Sequence, residues 1–228
     1  MGTSSADTAR YDRFVADLFG VMAYGELSAF ERLSSDARYS PTLHDRAVIG
    51  RIAVIEFEHY ELVSAKLAEM GVDVENAMLP FQSAVDHFHE RTRPADWYES
   101  LMKAYVVDTV SADFYRAVAR FVDPGTRELI QQIQSSEEAT GVLRERLKGA
   151  LADDPRLASR LALWGRRLLG EAVTQAQRVG HEHAFLGALF VEAEPGATDA
   201  TARELMRGIT AEVADNHSRR MVQLGLSG

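Results

Sequence analysis

The four residues Glu56-Phe57-Glu58-His59 carry the clearest chemistry in this chain. Residues three apart on a helix face the same way, so Glu56 and His59 can offer one carboxylate and one imidazole to the same ion. Other acids stand where an apolar stripe would be expected. Glu26 lies four residues from both Met22 and Phe30, and Asp108 lies on the stripe Leu101, Tyr105, Asp108, Ala112, Tyr115. Glu137 follows Ile133 by one turn, with Glu138 beside it. Burying an unpaired carboxylate is costly, so acids on inward stripes call for a partner. Oxygen donors with imidazole suit iron or manganese. The plainer alternative is a histidine hydrogen-bonded to a neighbouring helix and a Glu56 engaged in a salt bridge.

The spacing between these acids sharpens the first reading. Glu26 and Glu56 are 30 residues apart, and Asp108 is 29 or 30 residues from Glu137 or Glu138. Two antiparallel helical hairpins, each with an acid at the same height on both arms, would gather four carboxylates. Di-iron and di-manganese bundles use such a set, with a Glu-x-x-His on two of the helices.

The elements that would position these groups follow from punctuation and periodicity. Prolines fall at Pro41, Pro80, Pro94, Pro124, Pro155 and Pro195, several just after a capping residue (Ser40, Asp123, Asp154). Such pairs mark helix starts. Apolar residues at helical spacing predict segments over about 8–35, 42–70, 80–91, 95–122, 124–151, 155–192 and 199–223, with no sustained strand alternation. The fold class is therefore all-α. A hairpin, a long connection over roughly 71–93 and a second hairpin give an antiparallel four-helix bundle of the ferritin-like type with one crossover. The chain is expected to form a single domain, with the bundle over about 8–151 and two additional C-terminal helices over about 155–223.

Composition narrows the chemistry. The 228 residues include no cysteine, which excludes thiolate metal sites, iron–sulfur ligation, disulfides and a cysteine nucleophile. Hydrophobic residues make up 46%, enough for a substantial core. The net charge of −9 disfavours a generic nucleic-acid coat. No apolar run is long enough to span a bilayer and the first residues do not read as a signal, so a cytoplasmic location is expected.

The chain resembles the ferritin-like superfamily and, within it, the MiaE-like tRNA hydroxylases common in actinobacteria. The likeness is carried by Tyr24-Gly25-Glu26-Leu27-Ser28-Ala29-Phe30-Glu31-Arg32-Leu33 and Glu56-Phe57-Glu58-His59-Tyr60-Glu61-Leu62. It continues through Ala95-Asp96-Trp97, Lys103-Ala104-Tyr105, Asp113-Phe114-Tyr115-Arg116, Leu161-Ala162-Leu163-Trp164 and Gly170-Glu171-Ala172. The resemblance implies a non-haem di-iron hydroxylase using dioxygen, whose archetype acts on an isopentenylated adenosine in tRNA. It would make Glu26 a terminal ligand and Glu56 a bridging one, with His59 completing the first iron and Asp108 serving the second.

The chain departs from that pattern. Position 140 is Thr and position 141 is Gly, so the second Glu-x-x-His is missing, and Asp108 is one methylene shorter than the usual Glu. The second metal could be weakly held, His183 on the stripe of the sixth segment could substitute, or the site could be degenerate and the protein a metal-free structural or interaction protein. A simple ferroxidase is a further alternative.

Other residues have plainer readings. Tyr105 and Tyr115 are expected to line a substrate pocket. In His181-Glu182-His183, and in His87 with His89, residues two apart point in different directions and make poor ligand pairs. His217 with Arg219-Arg220 reads as a solvated face, and His44-Asp45-Arg46 as capping or surface charge. Arg156, Arg160, Arg166, Arg167 and Arg178 read as a helix face paired with local acids rather than a tRNA-binding strip. The expected partners are a small-molecule or modified-nucleoside substrate and a second copy of the chain in a homodimer, with the two extra helices offering the dimer face.

Overall fold

The computed structural model describes residues 5–134, 137–152, 154–182 and 199–226. Among these residues eight α-helices are described: α1 (Ser5–Asp36), α2 (Leu43–Glu69), α3 (Val74–Arg91), α4 (Trp97–Val118), α5 (Pro124–Ile133), α6 (Glu137–Leu151), α7 (Pro155–Glu182) and α8 (Asp199–Gln223). Among the described residues there is no strand, as the periodicity predicts. None of the described helices is long and apolar enough to cross a membrane.

Side-chain caps account for most helix starts. Asp123 accepts from the N–H groups of Gly125 and Thr126, with Pro124 in the first turn of α5. Asp154 accepts from the N–H groups of Arg156 and Leu157 at the start of α7. These satisfy donors that a helix start otherwise leaves unpaired. Gly71, at φ +72°, closes the turn after α2, a backbone conformation that side-chain-bearing residues avoid.

Three boundaries differ from the sequence expectation. The cap of α2 is Thr42 rather than Ser40: its hydroxyl oxygen accepts from the N–H of Asp45 and its O–H donates to the Asp45 carboxylate at 2.7 Å. Helix α3 starts at Val74, capped by Asp73, so Pro80 lies inside it instead of opening it. The Asp73 carboxylate accepts from the N–H of Asn76 and so starts the helix upstream of the proline. The segment expected as one helix over 124–151 is two helices, α5 and α6. Ile133 and Glu137 therefore do not share one continuous helix. The intervening sequence, Ser135-Ser136, is of a type that competes for backbone hydrogen bonds and favours helix starts over interiors.

Helices α1 and α2 pack along each other, as do α4 and α6, giving the two expected pairs. Phe30 against Phe57, with ring centroids 5.0 Å apart, sets the register of the first pair. The pairs are joined by Ser100, whose hydroxyl donates to Asp36 at 2.9 Å, and by Arg146, 3.0 Å from Asp45. Phe14, Leu18, Phe19, Met22, Ile49, Ile52, Leu67, Leu101 and Leu143 fill the buried interior.

Helix α3 crosses over α1. At the crossing, a Cβ on Gly20 would lie 2.2 Å from the carbonyl oxygen of Ala77, so only glycine allows this approach. Helices α7 and α8 lie against α4 and turn inward the apolar stripe Leu157, Leu161, Trp164, Leu168, Val179 and Ile209, Val213, Met221. The indole N–H of Trp164 donates to the Glu99 carbonyl at 3.0 Å.

Candidate metal centre

The middle of α1 faces the middle of α2 and brings together the three residues singled out by type. Nδ1 of His59 is 3.6 Å from Glu26 Oε2 and 3.8 Å from Glu56 Oε2, and the ligand atoms of all three lie within 4.8 Å of one another. Glu26 is only 8% exposed although it is a carboxylate. The ion pairs formed by Glu26 and Glu56 among the described residues are with His59, not with arginine.

The local electrostatics are those of a compact acidic cluster. Burial raises the proton affinity of Glu26, and the nearby Glu56 charge adds to it. Burial alone would lower His59, but the Glu26 and Glu56 carboxylates outweigh it and push His59 up to about 10. The Tyr115 phenol is raised as well, by burial and then by the Glu26 charge. Without a metal the cluster therefore holds protons in a place where a cation would otherwise balance the carboxylates.

Two carboxylates and an imidazole fit one ion. Donors about 2.0–2.2 Å from a common ion sit roughly 3 Å from one another, so the observed spacing requires only a small contraction. The donor set is hard and nitrogen-containing, suited to iron or manganese.

The other half of the expected site is arranged differently. Asp108 on α4 lies close enough to feel the charges of Glu56 and His59, and burial pushes it up to about 6. Its Oδ2 accepts a 2.5 Å hydrogen bond from the Thr140 hydroxyl of α6. Thr140 stands three residues after Glu137, where a second Glu-x-x-His would carry its histidine, and its hydroxyl donates to the Asp108 carboxylate. Glu137 and Glu138 open α6, but their side chains lie outside the described residues, as does His183.

The cluster opens into a cavity of about 290 Å³ that also takes in Asp108 and Tyr115. Its walls are mostly apolar, among them Ala29, Ile52, Val107, Phe114, Leu143 and Val213. Tyr115 is in its lining; Tyr105 is not. Tyr105 is buried on the adjacent stripe of α4, about 100° around the helix from the cavity-lining Ala104, in the field of Arg220 and Arg144.

The same cavity reaches residues that the sequence reading passed over. His89, Lys103 and Arg32 line it at some distance from the acids. His89 is 8% exposed and Lys103 6%. His89 continues the stripe Phe81, Val85, His89 at i, i+4, i+8, a signal masked by its reading as one of a poor ligand pair. His217 is also buried, at 3% exposure, and not part of a solvated face. Burial and the Arg220 charge hold it down to about 4, so it stays neutral inside the α8 interface. Of the basic run on α7, Arg160 pairs with Asp96 at 2.5 Å and Glu99 at 3.1 Å, as the helix-face reading expects.

Comparison with known proteins agrees with this architecture. One solved structure, "Protein 19 with aldehyde deformylating oxidase activity from Synechococcus", superposes with a TM-score of 0.63 at 17% identity, covering 96% of this chain and 97% of that one. No curated protein matches the chain. The family described as "Ferritin-like domain, actinomycetes" matches residues 9–193. An all-α bundle whose first helical pair carries inward carboxylates thus belongs to the ferritin-like domain family of actinomycetes.

Proposed function

We propose that the chain is an iron-dependent oxygenase that uses dioxygen on a small, largely apolar organic substrate. The observation that carries this reading is the convergence of Glu26, Glu56 and His59 at the edge of a mostly apolar cavity. The oxidative activity named for the Synechococcus structure, and the resemblance to MiaE-type hydroxylases, support oxidative chemistry at this place in the bundle.

Glu26, Glu56 and His59 would hold the ion, with Asp108 facing it from α4; manganese suits the same donors. Iron held there supplies the reductive activation of dioxygen, with electrons from an external donor. The remaining tasks fall to the chain. Apolar walls keep bulk water from the reacting centre, which strengthens every charge interaction inside. The Tyr115 phenol, raised by burial and by Glu26, stays protonated and so keeps an O–H able to donate a hydrogen bond. A methylene or methyl group fits these walls better than a nucleobase, whose polar edges would find few partners. A tRNA substrate is further disfavoured by the net charge of −9 and by the pairing of Arg160 with Asp96 and Glu99.

The Asp108–Thr140 hydrogen bond favours a second reading, a scaffold that has lost its metal. One experiment separates the two. Ferrous iron added under argon is expected to load about one ion per chain in wild type and far less in His59→Ala, and the loaded protein is expected to consume dioxygen when given a reductant and an alkyl substrate. Negligible iron in wild type, unchanged by His59→Ala, would establish the metal-free reading.

A further inference from the structure

The cavity has two chemically unlike ends. One is the acidic cluster of Glu26, Glu56 and His59; the other is formed by Arg32 of α1, His89 of α3 and Lys103 of α4. Six residues of α1 separate Glu26 from Arg32, about 9 Å along the axis at the rise of an α-helix. The same lining includes the apolar residues Ala29, Ala84, Phe88, Ala104 and Val107.

The basic end holds polar atoms that the protein leaves unsatisfied. Arg32 Nε and His89 Nδ1 are buried and have no hydrogen-bond partner among the described residues. Lys103 Nζ donates to the Thr92 carbonyl at 3.0 Å and lies 5.5 Å from the Phe88 ring centroid. An ammonium has three N–H donors, so this leaves capacity for a further acceptor. The neighbouring acid is Asp36, which accepts from Ser100 at 2.9 Å. Two cations, Arg32 and Lys103, against one carboxylate, Asp36, leave a surplus of one positive charge. Buried donors without partners cost free energy and are tolerated where something else satisfies them.

We propose that the Arg32–His89–Lys103 end of the cavity is a subsite for the carboxylate headgroup of an elongated alkyl substrate, which directs the alkyl chain toward the Glu26–Glu56–His59 end. A monoanion matches the single surplus charge, and a phosphate dianion would exceed it. Arg32 offers a planar fork suited to a carboxylate, Lys103 a point charge, and His89 an N–H from its neutral ring. Burial, with the charges of Lys103 and Arg32, holds His89 down to about 3, so it adds no third cation. Lys103 is lowered to about 8 by burial and remains mostly protonated at neutral pH. The inference rests on reading this cavity as the substrate chamber, but headgroup recognition itself needs no metal.

The test uses the metal-free full chain at pH 7, with octanoate and 1-octanol as probes in calorimetric titration and thermal-shift assays. Octanoate is expected to bind about tenfold or more tightly than octanol, the scale of one hydrogen-bonded charge. Arg32→Gln is expected to abolish most of that preference while leaving octanol binding and melting temperature near wild type, because Arg32 Nε has no partner to lose. Equal affinity for the two probes, no octanoate binding, or a preference unchanged in Arg32→Gln would each overturn the proposal. If iron fails to load but octanoate is still preferred, only the oxygenase reading falls. If iron loads and octanoate is not preferred, only the carboxylate subsite falls.

Discussion

On the proposed iron-dependent reading, Thr140 would limit how many ions the chain holds. Its hydroxyl bonds Asp108 from the position where the second histidine of a paired site would stand, so a side chain at 140 reaches the missing half of the centre. Thr140→His is expected to raise ferrous iron bound under argon from about one toward two ions per chain, measured by elemental analysis of desalted protein. Stoichiometry unchanged in a folded variant would mean that Asp108 is too short or misdirected to serve a second ion. The acids were legible in the sequence because a carboxylate on an apolar stripe has few other reasons to be there. The basic end was not, because nothing in the local spacing of Arg32 and Lys103 announces that they share a cavity lining with His89 of α3. His217 was misread for a related reason: its burial depends on α8 lying against α4, which no local spacing announces.

At the scale of elements, two glycines permit close helix contacts of different kinds. A Cβ on Gly20 would meet the backbone carbonyl of Ala77 at 2.2 Å, whereas one on Gly165 would meet the terminal methyl groups of Met221 and Met102 at 2.5 and 2.9 Å. A carbonyl in a helix cannot step aside, but a methionine terminus can turn. Gly20→Ala is therefore expected to cost about 1–3 kcal/mol in urea unfolding. Gly165→Ala should stay within about 1 kcal/mol of wild type, because the gain in helix propensity offsets the methionine shifts. Equal losses would contradict this account of the α1–α3 crossing. Helix starts at Pro124 and Pro155 were legible from their capping aspartates, Asp123 and Asp154. The start of α3 was not, because Asp73 caps it a full turn and more before the proline that looked like its boundary.

Across the whole molecule, distant segments are tied by a few polar contacts at the ends of the bundle. Tyr11 donates to Asp123 at 2.6 Å and accepts from the Asp123 N–H at 2.8 Å, which links the first helix to the start of α5. Slight burial would raise Asp123, but hydrogen bonds from Thr126, Tyr11 and the backbone outweigh it and hold the carboxyl down to about 2. A depressed folded-state value means that the unfolded chain takes up the proton first. The stabilisation is thus complete above the ordinary carboxylate range and is lost as pH falls toward about 2. Asp123→Asn keeps a capping side chain and removes the charge. Its melting temperature should lie below wild type at pH 6, and the gap should close on acidification to about pH 2. A gap that persists there would assign the contribution to shape rather than charge.

Helices α7 and α8 have a consequence of another kind. They supply Val173, Ala176, Val179, Met206 and Val213 to the cavity, while the carboxylates and the imidazole that face one another sit on α1, α2 and α4. Changes in this wall can therefore accumulate without disturbing the donors. On the proposed oxygenase reading, the range of molecules admitted would drift quickly under selection or in a directed-evolution library while the metal chemistry stayed constant, and relatives sharing the same acids would not need to share a substrate.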